Sequence, residues 1–148
     1  MKSHYRVVVI GGGVVGASVI YHLAKFGWSD VCMLERSVLT AGSSWHAAGG
    51  IHALNADPNI SALQAYTIDL LQEIEAESGQ DIGLHMTGGL TMAGTPDRWE
   101  WLQSAYRVYQ SIGISDCRLV TPEEARELNP IMSTEGLLGG MWADREGY

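Results

Sequence analysis

Two short apolar runs rich in β-branched residues open the pattern, Val7-Val8-Val9-Ile10 and Val31-Cys32-Met33-Leu34, the second ending on Glu35. Between them Val15, Val19, Leu23 and Phe26 recur at helical spacing on one face, and Gly27 supplies a stop. The spacing predicts strand, helix and strand, with the helix from Gly13 to Phe26 and the second strand from Val31 to Glu35. Residues 37–54 follow neither period, are rich in glycine, alanine and serine, and receive no regular element. Asp57-Pro58 then caps and opens a second helix, carried through Leu63, Ile68, Leu71 and Ile74 to a Ser78-Gly79 stop.

From Gly83 the pattern shortens. Leu84 to Ala93 reads as two short strands about a Gly88-Gly89 turn, a hairpin. Thr95-Pro96 opens a helix that reaches Ser111. Leu119 and Val120 lead into Thr121-Pro122-Glu123-Glu124, a capping box whose helix ends near Asn129-Pro130. Leu137 to Ala143 is the last strand expected. The fold class is therefore α/β: a Rossmann-like βαβ unit, then the start of an α+β substrate domain, divided as residues 1–80 and 81–148. Only two strands belong to the first sheet, whereas a doubly wound sheet holds about six. The chain reads as a truncated first part of a larger protein.

Composition narrows the partners. Of 148 residues 46% are hydrophobic, as in a globular protein, and 9 Lys and Arg against 17 Asp and Glu leave a net charge of −8. That sign disfavours nucleic acid and anionic membrane. Cys32 and Cys117 form no CxxC pair, and no signal sequence or membrane-length apolar run is recognisable, so a reducing cytoplasm is expected. No spacing of His, Cys and carboxylates suits a metal.

Chemistry enters at Gly11-Gly12-Gly13-Val14-Val15-Gly16, directly after the first strand and opening the first helix. Gly11 permits a tight turn, Gly13 lets backbone approach a diphosphate, and Gly16 lets helix and strand pack closely, with Val14 and Val15 presenting the helix N-terminus to the anion. Glu35, at the end of the second strand, suits a ribose hydroxyl. This constellation predicts dinucleotide binding. Glu at 35 followed by Arg36 leans toward FAD, although FAD and NAD share the ribose contact. A second loop weighs further for FAD. Gly42, Ser43, Ser44, Trp45, His46, Ala47, Ala48, Gly49 and Gly50 offer small residues and hydroxyls along which an extended ligand can lie.

The segment Gly42-Ser43-Ser44-Trp45-His46-Ala47-Ala48-Gly49 resembles dimethylglycine and sarcosine dehydrogenases, flavoproteins of the D-amino-acid oxidase superfamily. Gly50-Ile51-His52-Ala53-Leu54-Asn55 and Gly88-Gly89-Leu90-Thr91 look like bacterial FAD-dependent oxidoreductases, so the resemblance spans the chain. It implies FAD, linked covalently through His46 to the flavin 8α-methyl carbon. It further implies oxidation of an N-methylated amino acid by hydride transfer, with an electron-transferring flavoprotein or oxygen as acceptor. Read from the residues alone, His46 serves equally as a hydrogen-bonding contact near a phosphate. Two other readings stand beside this one: an NAD-dependent dehydrogenase, which has no use for the second loop, and a non-catalytic fragment. Trp99, Trp101 and Trp142 are expected in the core and His85 in a structural role; for His52, which follows the flavin loop, a place at the ring's edge is the lesser of the readings open to it.

Overall fold

The computed structural model describes residues 2–148. Strand β1 (Val7–Ile10), helix α1 (Val14–Lys25) and strand β2 (Val31–Leu34) follow the predicted order, and β1 pairs with β2 in parallel, Val7 opposite Val31 and Ile10 opposite Leu34. The turn between β1 and α1 works as its glycines require. Gly11 sits at φ +104°, a region that disfavours a Cβ, and donates its N–H to Leu34 O at 2.8 Å. A Cβ on Gly16 would collide with the Gly11 carbonyl, so glycine there sets how closely helix and strand approach.

The apolar face of α1 is where expectation and structure part. Val15 is 74% exposed, Val19 43% and Phe26 74%, and no residue of α1 is buried. The period is helical as expected, but a sheet of two strands offers too narrow a surface to cover that stripe. Within residues 37–54 a short 3-10 helix spans Ser43–His46, an element the periodicity could not show in four residues.

Two compact units divide after Ala48. The reason lies in α2 (Pro58–Ser78), whose Ile68 belongs to the core of the second unit, Gly49–Tyr148. That unit also holds β3 (Gly89–Ala93), α3 (Pro96–Ser111), β4 (Cys117–Val120), α4 (Pro122–Leu128) and β5 (Gly139–Ala143). Its sheet is antiparallel in the order β3-β5-β4, with Leu90 opposite Trp142 and Leu119 opposite Met141. Leu102 and Tyr109 of α3 close its core against Met141 and Ala143, with Trp99 and Trp101 half-buried around it. The caps read from sequence form: Asp57 accepts from Asn59 and Ile60 N–H, and Thr121 and Glu124 complete a reciprocal capping box.

The hairpin expected over Leu84 to Ala93 does not form. Gly88, at φ +80°, does not return the chain on itself, and β3 takes β5 as its partner. Residues before it pair instead with the last three of the chain: Tyr148 O accepts from His85 N–H at 2.6 Å, and Glu146 O from Gly88 N–H at 2.8 Å. On the other flank Ile51 and Gly147 exchange backbone bonds of 2.8 and 2.9 Å. These partners are far apart in sequence, which a local pattern cannot register.

Candidate functional site: a helix N-terminus, a carboxylate and a serine

In the first unit the glycine turn, Glu35 and the 3-10 segment converge. Glu35 Oε2 accepts from Gly12 N–H at 2.8 Å, and Oε1 accepts from Ser37 N–H at 2.9 Å. These two backbone donors, Gly12 foremost, hold its carboxyl below the usual carboxylate range. An ionised carboxylate has about four lone-pair positions, so each oxygen retains capacity for a further donor. The following Arg36 is exposed.

Gly13 occupies the N-cap of α1 but carries no capping side chain. The cap comes from Ser44, whose Oγ accepts from Val14 N–H at 2.8 Å. A Cβ on Gly13 would sit 3.0 Å from that Oγ, so glycine is what admits the serine. A cleft of about 580 Å³ opens here, lined by Val9, Gly11, Gly13, Gly16, Ser44 and Ala47 among others. Its floor joins a glycine-lined helix N-terminus to a hydroxyl, the donor set an anionic diphosphate needs.

Ser43, Trp45, His46, Ala47 and Ala48 are exposed, and the indole of Trp45 lies 4.1 Å from the imidazole of His46, centroid to centroid. The His46 Nδ1 stands 3.1 Å from Gly42 O. A carbonyl only accepts, so Nδ1 is the donor in this contact. Gly49 and Gly50 belong to the second unit. Sequence reading missed Thr40, at φ +66°, whose N–H donates to Gly12 O at 2.9 Å and ties the loop to the turn. A β-branched residue is among the last expected in that conformation, so nothing in the pattern signals it.

A family profile described as FAD dependent oxidoreductase (DAO) matches residues 6–148. The chain belongs to that family. Dimethylglycine dehydrogenase of Rattus norvegicus is 36% identical over 148 residues, 99% of this chain and 17% of that protein. The 4-methylaminobutanoate oxidase (formaldehyde-forming) of Paenarthrobacter nicotinovorans is 33% identical, over 100% of this chain and 18% of its own length. Among solved structures, L-proline dehydrogenase from P. horikoshii superposes with a TM-score of 0.87 at 24% identity, over 99% of this chain and 38% of that one. The α/β fold read from the sequence is thus the fold of this FAD-dependent family, seen here over about a fifth or less of the curated relatives' length. Family membership implies FAD as the cofactor; Gly13 and Ser44 of the cleft fit its diphosphate, and Glu35, bonded to Gly12 beside the cleft, fits its ribose.

Proposed function

We propose that this chain is the nucleotide-holding portion of a flavoenzyme that oxidises the C–N bond of an N-methylated amino acid such as dimethylglycine or sarcosine. The observation that carries the reading is the joint placement of Gly13, Ser44 and the Glu35 carboxylate at one helix N-terminus, in a family defined by FAD. The amine class is supported by the relatives, a dimethylglycine dehydrogenase and a methylaminobutanoate oxidase. In this reading the nucleotide segment is residues 1–80 and the substrate domain starts at 81. Electrons pass on to an electron-transferring flavoprotein or to oxygen, in the cytoplasm.

FAD, when bound, supplies the acceptor for the hydride leaving the substrate carbon. The chain's own residues do the holding. Backbone N–H groups at the start of α1 face the diphosphate, and Ser44 Oγ, already accepting from Val14, donates its own proton to a phosphate oxygen. Glu35 accepts from the ribose hydroxyls. His46, with Nδ1 donating to the Gly42 carbonyl, presents in its neutral form the Nε2 lone pair needed for a covalent bond to the flavin methyl.

The test is acid denaturation of protein expressed with flavin available. Yellow colour is expected to stay with the polypeptide and to leave it in His46→Ala. Colour released from the unaltered protein reduces His46 to a contact. A protein that takes up NAD and no flavin overturns the whole reading.

A further inference from the structure

The second unit has a cavity of its own, about 370 Å³, whose lining includes His52, Thr87, Thr91, Glu146 and Tyr148. Glu146 is only 8% exposed. Its Oε1 lies 3.4 Å from the Tyr109 hydroxyl, which donates to it, and its Oε2 lies against Gly89, where any Cβ would collide with it. Glycine at 89 therefore gives the carboxylate its place in the cavity wall. The guanidinium next along the chain does not neutralise it. Arg145 reaches Asp69 and, at 3.5 Å, Asp116.

Burial accordingly raises the Glu146 carboxyl above its usual range, opposed by the Ala53 backbone N–H, the charge of His52, the Tyr109 hydroxyl and the Leu54 N–H. Neutral donors and one histidine leave a buried carboxylate short of a full counter-charge. A cation of the right size in the cavity would supply it. Beside the carboxylate, Tyr148 gives the wall an aromatic ring suited to N-methyl groups, and His85 backs that ring at 5.2 Å from outside the lining. Thr91 adds a hydroxyl that can donate to an anionic end of the same molecule, while that of Thr87 donates to Gly88 O.

We propose that the cavity between Gly50–His52, Thr87–Thr91 and Glu146–Tyr148 binds a small methylated ammonium group, with Glu146 as its anionic partner. The choice of amine rests on the N-methylated amino acid reading above; the cation itself follows from the carboxylate. A cavity of this volume lies within the range of small-molecule sites, about 300–1,000 Å³, and holds a ligand as small as dimethylglycine with room to spare.

The experiment is a nitrogen-15 amide titration of the whole 148-residue chain at neutral pH with dimethylglycine, beside the neutral N,N-dimethylacetamide. Saturable shifts at Gly88, Gly89 and Gly147 with the amine alone are expected, weakened about tenfold or more in Glu146→Gln. Equal response to the neutral compound, no response to either, or an undiminished response in a well-dispersed Glu146→Gln spectrum overturns the site. FAD titrated into the same samples separates the two claims. Flavin uptake without an amine response removes this cavity and leaves the flavin reading. An amine response without flavin uptake keeps the cavity and removes that reading.

Discussion

Glu146 contributes to stability in a direction opposite to most carboxylates. Its folded-state carboxyl is raised above the ordinary 4.5 by burial, so the protonated form is the one the fold favours. The contribution is fully present below about pH 4.5 and is lost as pH rises through the folded-state value. Glu146→Gln, neutral throughout, should therefore flatten this loss: urea titrations across that window are expected to show the unaltered protein losing ground to the variant as pH increases. An identical pH trend in both proteins would place the titration on another group. At Thr40 the residue is held at φ +66°, a conformation that costs a β-branched side chain about 1 kcal/mol or more. Thr40→Gly is expected to stabilise the loop by about that amount, visible as slower amide exchange at the N–H donating to Gly12. Gly13→Val has the opposite character. Its side chain would press on Ser44 Oγ and on the path of a diphosphate, and flavin uptake, followed by quenching of FAD fluorescence, should vanish.

Helix α1 depends on a cap from outside its own sequence, and that dependence couples the helix to the 3-10 segment Ser43–His46. Ser44→Ala should cost about 1 kcal/mol, the usual value of a lost N-cap, read as faster amide exchange in the first turn of α1. Unchanged exchange there would mean that water replaces the hydroxyl at no cost. Local signals were legible in the sequence: the glycine turn after β1, Asp57 and Thr121 as caps, and helices α2, α3 and α4 within a residue or so of their boundaries. What stayed hidden was long-range. Ser44 as a cap for Val14, the pairing of His85 with Tyr148, and β5 as the partner of both β3 and β4 each need the fold before they exist. The candidate site shows the same division, with Gly11, Gly13, Gly16 and Glu35 apparent from spacing and Thr40 apparent from none.

Across the molecule, the two compact units differ in how they bury apolar surface. The first leaves Ile10 85% exposed and the whole of α1 unburied, while the second closes a core around Leu102, Tyr109 and Met141. This chain spans 17% of the length of the rat dimethylglycine dehydrogenase, and its first sheet has two strands, too narrow a surface to cover the apolar stripe of α1. The central strand of the second sheet carries a temporal consequence. Because β5 and the Glu146–Tyr148 segment are translated after everything they join, α2, β3, α3 and β4 emerge from the ribosome with no middle strand to organise them. The βαβ unit, closed by neighbours in sequence, has its partners together before β5 is made, so it can take on order while the second sheet still waits for its middle strand.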